Sequence, residues 1–201
     1  MPSAVPPPLQ EPSQVAMSRR IKLIIGVSLI PLCCFVALLV LRLFGLVRPF
    51  YIPTGAMIPA ACPEDHVMME NVTFHLREPR RGDIVVFKTD GIASIPPPST
   101  HYLKRVAGEP GDHLVILDGN LFINDKQVLL SNVAGKISYD NPPGIWAMQT
   151  NVIVPRGCYY VLGDNSTNSA DSRFFGSIPR GNIIGRIVFC YWPPERTGGV
   201  K

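Results

Sequence analysis

A mainly β, antiparallel β-sheet domain preceded by one N-terminal transmembrane helix is the fold class that this sequence predicts. Two observations carry the prediction. Leu23 to Leu41 is an uncharged run of 19 residues bounded by Lys22 and Arg42. After it the chain shows no amphipathic helical period, only short β-rich runs separated by Gly, Pro and Asn. Many short strands in succession favour antiparallel pairing, because tight turns join antiparallel neighbours whereas parallel ones need a long crossover.

Taken in order, residues 1–20 are Pro-rich (Pro2, Pro6, Pro7, Pro8, Pro12) and read as a disordered tail with too little apolar surface to bury. Residues 21–47 are the expected membrane anchor. At ~1.5 Å of rise per residue, the uncharged run is about long enough for a hydrocarbon core of ~30 Å. Gly26 and Pro31 are tolerable there, since both types are commoner in membrane helices than in soluble ones. A cleaved secretory leader has a shorter apolar region, ~7–15 residues, with a small-residue cleavage site close behind. Here Arg42 and Arg48 intervene and no Ala-x-Ala lies just after Leu41. Residues 1–48 hold Arg19, Arg20, Lys22, Arg42 and Arg48 against Glu11 alone, so this flank carries the whole net charge of +4. The rest of the chain is neutral and has no basic excess to form a nucleic-acid footprint. A lipid bilayer is the expected partner instead. The small excess of basic residues before the span puts the N-terminus in the cytoplasm and residues 49–201 outside.

Residues 49–201 are the expected β domain. Its clearest strands are His66–Met69, Ile84–Lys88, Tyr102–Val106, His113–Leu117, Leu121–Ile123, Val152–Val154, Tyr159–Leu162 and Ile183–Tyr191. Asp118-Gly119-Asn120 marks a hairpin, because these residue types readily take positive φ. Ile95-Pro96-Pro97-Pro98-Ser99 reads as an exposed loop, and residues 131–151 as a surface insertion without a clear strand. Cys33 and Cys34 lie in the span, so Cys62, Cys158 and Cys190 allow at most one internal disulfide, and a reduced domain is expected. His66, His75, His101 and His113 are scattered without metal-ligand spacing, so neither a metal nor a cofactor is expected.

Lys104 is the residue whose chemistry stands out. In Tyr102-Leu103-Lys104-Arg105-Val106, strand alternation puts Tyr102, Lys104 and Val106 on one face. If that face is buried, desolvation disfavours the ammonium form and lowers the pKa towards values suited to a general base. The alternative is a strand-edge lysine whose stem packs and whose head reaches water.

Four blocks give that lysine a context. They are Pro53-Thr54-Gly55-Ala56-Met57-Ile58-Pro59; Gly82-Asp83-Ile84-Val85-Val86-Phe87; Tyr102-Leu103-Lys104-Arg105-Val106-Ala107-Gly108-Glu109-Pro110-Gly111-Asp112; and the Gly163–Gly176 stretch, Gly-Asp-Asn-Ser-Thr-Asn-Ser-Ala-Asp-Ser-Arg-Phe-Phe-Gly. In this order they resemble the sequence boxes of the type I signal peptidases, membrane-bound Ser/Lys endopeptidases that remove signal peptides from exported proteins. The resemblance covers most of residues 49–191.

The resemblance implies that Ala56 stands at the position of the nucleophilic serine and Lys104 at that of the general base. Ser169 matches the serine that orients the lysine amine, and the Thr54 hydroxyl the oxyanion hole, which the N–H at residue 56 would complete. Arg105, Asp164, Asp171 and Arg173 match supporting residues, the last two as a carboxylate–guanidinium pair. A signal peptide would bind as an extended strand on exposed edges near Ile84, Val85, Val86 and Phe87 and near Tyr102 and Leu103, with Met57 lining the approach. The domain would lie on the outer side of a bacterial-type plasma membrane. Ala56, and more mildly Ala60-Ala61 and Glu109, depart from the family pattern. Two function classes therefore stay open: an endopeptidase, and a non-cleaving relative that binds signal-peptide-like segments or pairs with an active peptidase. A specialised processing peptidase of the same clan is a narrower third.

Overall fold

The computed structural model of the protein describes residues 19–92, 94–95, 98, 100–132, 134–139 and 150–200, without the side chains of 19–26, 28 and 41. The chain divides into two units, Met1–Val40 and Leu41–Lys201. The first contains most of α1 (Arg19–Leu43), a 25-residue helix with Pro31 inside it. The apolar side chains described along it, among them Val27, Ile30, Phe35 and Leu38, are exposed. Among the described residues no helix is long and apolar enough to cross a membrane. Most of the tail expected at 1–20 lies outside the described residues.

The second unit opens with β1 (Val47–Tyr51), antiparallel to β2 (His66–Glu70). Pro49 sits in β1 because an edge strand can lack one N–H. A short helix, α2 (Thr73–Leu76), leads to β3 (Ile84–Lys88), which pairs with β4 (His101–Gly108) so that Val85 stands opposite Lys104. Next come β5 (His113–Leu117), β6 (Asn120–Ile123), β7 (Lys126–Val128), β8 (Ser131–Asn132), β9 (Gly135–Lys136) and β10 (Asn151–Ile153). Then β11 (Cys158–Leu162) returns to β4, and α3 (Ser172–Phe175), β12 (Ile178–Pro179), β13 (Ile183–Trp192) and β14 (Gly198–Gly199) complete the domain. The main sheet runs β1-β2-β13-β3-β4-β11-β12, with β14 on β13, and the second β10-β5-β6-β7. Every strand pairing described is antiparallel, as expected.

Three apolar clusters hold these layers. Ile84 and Val86 enter one with Met57, Ala61 and Ile187, whereas Val85 and Phe87 enter another with Val106, Phe175 and Ile178. β3 is thus buried on both faces, which explains its unbroken apolar run Ile84-Val85-Val86-Phe87. The third cluster, with Ala107, Leu114, Ile116, Leu121 and Tyr160, seats the second sheet against the first.

The hairpin at Asp118-Gly119 forms with φ of 48° and 73°. A second one, at Asn124-Asp125 with φ of 51° and 65°, was not anticipated and creates β7. Surface placement does not hold throughout 131–151. Ile137 and Tyr139 are buried beside Leu130, and β8 pairs with β9; residues 140–149 lie outside the described residues. Of the Ile95–Ser99 loop, Pro98 is exposed and Ile95 packs against the Phe87 cluster, while Pro96, Pro97 and Ser99 lie outside the described residues. All five cysteines are free.

Candidate active site

β4 is paired with β3 from His101 to Arg105, but on its other side β11 covers only Arg105, Val106 and Gly108. The first half of the strand, His101–Lys104, therefore presents an open edge. A cleft of about 400 Å³ lies along it. Leu103 and Val86 line it from one face of the sheet, Tyr102 and Lys104 from the other, as an edge position requires. The opposite wall is the end of β1 and the segment after it, Tyr51 to Thr54, and the Phe50 and His101 rings meet edge-on at 5.6 Å. The sheet curls until its first strand faces its fifth.

The edge expected at Ile84–Phe87 is absent. β3 is hydrogen-bonded to β4 and to β13, so its main chain has no free side. Of its residues, Val86 lines the cleft, whereas Ile84, Val85 and Phe87 are core. Tyr102 and Leu103 do lie on an open edge, and Met57 lines the cleft although it is 2% exposed.

Lys104 is 5% exposed. Its Nζ lies 5.4 Å from the centre of the Tyr102 ring and donates to the Leu103 carbonyl at 3.1 Å, so the two side chains share a face as alternation predicts. Burial depresses its pKa to about 8, partly offset by the Asp171 and Asp164 carboxylates and reinforced by the Arg173 guanidinium. This has a sign. Between about 8 and the ordinary 10.5 only the unfolded chain holds the extra proton, so stability rises with pH across that window; below it the full burial penalty persists. Lys104→Met should accordingly stabilise the fold at pH 7 by roughly 2–3 kcal/mol, and the gain should shrink towards pH 10.5. Denaturant unfolding of both chains at the two pH values checks this, and a gain independent of pH would count against a buried, titrating lysine.

Ala56 and Thr54 line the same cleft. The loop that carries them is fastened by Asn165, whose side-chain amide donates to the Gly55 carbonyl at 2.9 Å and whose N–H donates to the Ala56 carbonyl at 3.1 Å. Asn165 was not singled out in the sequence, nor was Ser172, whose hydroxyl accepts the Val161 N–H at 2.8 Å and ties the Gly163–Gly176 block to β11. Asp171 is the hub of that block. Its carboxylate accepts the Gly163 N–H at 3.0 Å and caps α3 through the Arg173 N–H, while the Arg173 guanidinium forks onto it at 2.9 Å. Arg173 reaches on to the Ser166 hydroxyl and carbonyl at 2.8 and 2.7 Å.

Arg105 makes a second buried fork, onto Asp164 at 2.7 and 2.6 Å. Charge-assisted bidentate pairs of this kind fix backbone geometry as well as neutralising charge. Glu109 has a local reason: its carboxylate accepts the Arg81 N–H at 2.7 Å while its own N–H bonds Asp112 at 2.8 Å.

Ser169 is 7% exposed, and its hydroxyl has no hydrogen-bond partner among the described residues. It packs on Gly163. A Cβ at Gly163 would collide with Ser169 Oγ and stand 2.7 Å from the Ala56 carbonyl oxygen, so only glycine fits between them. The structure thus places Thr54, Ala56 and Lys104 on one cleft, while Ser169 packs on Gly163 beside the Ala56 carbonyl and does not line it. No group of His, Cys, Asp and Glu that could hold a metal occurs among the described residues.

Comparison with known proteins follows the same lines. A family model described as signal peptidase, peptidase S26, matches residues 22–192. Signal peptidase I of Leptolyngbya laminosa is 34% identical over 198 residues, covering 96% of this chain and 93% of that protein. A probable signal peptidase I-2 of Synechocystis is 34% identical over 148 residues, 74% of this chain and 64% of the other. Thylakoidal processing peptidase 1 of Arabidopsis thaliana is 37% identical over 170 residues, 81% of this chain, which spans about half (48%) of that protein's length.

Proposed function

The chain belongs to the signal peptidase family, peptidase S26, a family of peptide-bond hydrolases, and from that membership we propose that it acts at a membrane on the signal peptides of exported preproteins. The supporting observation is Lys104, nearly closed off from water yet lining the same cleft as Ala56. In this reading the segment before the cut lies along the open edge of β4 at Tyr102–Leu103. Its small side chains, at the first and third positions before the cut, face shallow pockets over Val86 and Met57. Lys104 is the general base and Ser169 orients its amine. The Thr54 hydroxyl and the Ala56 N–H hold the developing oxyanion, and one such donor is typically worth about 3 kcal/mol in the transition state. Arg105, Asp164, Asp171 and Arg173 brace the arrangement, and no metal or cofactor takes part.

Helix α1 is the proposed anchor. The support is in the sequence, where the uncharged run Leu23–Leu41 is about the length that a bilayer core of ~30 Å needs. Basic residues before it favour a cytoplasmic N-terminus, with the β domain on the outer side. Ala56 offers no attacking oxygen for Ser/Lys acyl transfer. That observation favours a second reading, a relative that holds signal peptides without cutting them or that partners an active peptidase.

Strand addition makes the main chain of the substrate a binding element. A synthetic Ala-X-Ala signal peptide should bind the protein saturably in detergent. Methylating the one or two backbone nitrogens that face β4 should weaken binding by about tenfold or more, since each methyl removes a hydrogen bond and crowds the edge. Fluorescence anisotropy measures both. Equal binding of the methylated peptide would remove strand addition from the account.

A further inference from the structure

We propose that Asn168 grips the substrate beyond the cut, its carboxamide hydrogen-bonding the main chain of the first residues of the exported protein. The inference rests on the reading above and extends it from the segment before the cut to the segment after it.

The path follows from the strands. A substrate laid along the open edge of β4 runs from His101 to Lys104 and goes no further on that edge, because Leu162 of β11 already pairs with Arg105. The chain past the cut must therefore leave over the Gly163–Gly176 block, which follows β11 directly. That block lends the cleft two side chains, Asn168 and Ala170, both exposed. On the other bank stands the loop of Thr54 and Ala56. The Asn168 side-chain nitrogen lies against that loop, 3.7 Å from where a Cβ would project from Gly55. Asn168 accordingly stands where the chain departs, beside the two groups assigned to the oxyanion.

Two features fit this side chain to the task. A carboxamide carries both a donor and an acceptor, as does every non-proline peptide unit of an extended chain, so the two bond without regard to sequence. Among the described residues nothing hydrogen-bonds the Asn168 carboxamide, so both halves are unspent. Its backbone, by contrast, is fixed. The Asn168 N–H donates to the Asn165 carbonyl at 3.0 Å, and the helical turn Ser166–Asn168 is tied down by Arg173 at the Ser166 hydroxyl and carbonyl. A free hydrogen-bonding group on a preorganised mount binds with little ordering left to be done. Ala170 beside it adds only a methyl, so side chains after the cut meet little that would select among them.

The test compares two synthetic signal peptides on the full chain in detergent by fluorescence anisotropy. One ends in an amide at the cut and the other continues for three residues. Continuation should tighten binding to the parent about tenfold, the effect of two hydrogen bonds of ordinary net strength. In Asn168→Ala, with folding checked by circular dichroism, that gain should fall to about twofold or less while the short peptide binds as before. Esters placed in turn at the peptide bonds after the cut each remove one N–H. One of them should weaken binding to the parent severalfold, a measurement that needs no variant, and should leave binding to Asn168→Ala unchanged. The proposal is overturned by no gain from continuation in the parent, by an equal gain in parent and variant, or by an ester series without effect on the parent. A folded Asn168→Ala chain that loses affinity for both peptides alike also overturns it, since the residue would then be structural. A parent that binds neither peptide sinks the functional reading beneath it.

Discussion

Ala56→Ser should raise cleavage of an Ala-X-Ala signal peptide by on the order of 10⁶-fold, and adding Lys104→Ala should return it to background. The magnitude follows from the cooperation of nucleophile and base. Removing the nucleophile from such a pair costs on the order of 10⁶ in rate even when the base remains, and the serine regains it. The substitution adds one oxygen to a residue that already lines the cleft and is already fixed through Asn165. Cleavage followed by mass spectrometry, with circular dichroism to confirm folding, measures it. If the folded serine variant binds peptide yet cleaves no faster than its parent, Lys104 is out of reach of position 56 and its assignment as base fails.

The largest effect on stability is expected at Asp171. This carboxylate is fully buried and receives the Gly163 N–H, the Arg173 N–H and both arms of the guanidinium fork. Asp171→Ala leaves Arg173 charged in a site with no solvent, and breaking a buried pair in this way costs about 3–5 kcal/mol. Removing both charges together, in Asp171→Leu with Arg173→Met, should cost less than the single change, because no uncompensated ion is left behind. Equilibrium unfolding of the two variants makes the comparison. A single-variant loss below about 1 kcal/mol, in the range of surface pairs, would mean that the block is braced by something other than this pair.

What the sequence disclosed, and what it withheld, divides along the range of the interactions. Alternation alone placed Lys104 beside Tyr102, and Asp118-Gly119 announced its hairpin, because both are written within a few residues. The burial of Lys104 was conditional on which face of β4 is covered, and only the packing of Val85, Val106 and Phe175 decides that. The supposed edge at Ile84–Phe87 failed because its second neighbour, β13, is supplied by residues about a hundred positions later. Asn165 went unnoticed for a related reason. In a Gly-, Ser- and Asn-rich stretch such a residue reads as a turn former, and its actual partner, the Gly55 carbonyl, lies 110 residues upstream. β1 was hidden by Pro49, which argues against a strand everywhere except at an edge.

The Asn165 clamp has a bearing on when in the protein's life the cleft exists. Residues 51–57 leave the ribosome long before Asn165 does, so the loop holding Ala56 has only its local bonds, such as Ile52 N–H to the Asp65 carbonyl, until Asn165 follows. Closing so long a span is entropically slow compared with forming local hairpins. A nascent chain therefore carries all the ingredients of one wall without the site itself. The wall of the cleft that holds Ala56 is complete only when the Gly163–Gly176 block is docked against it.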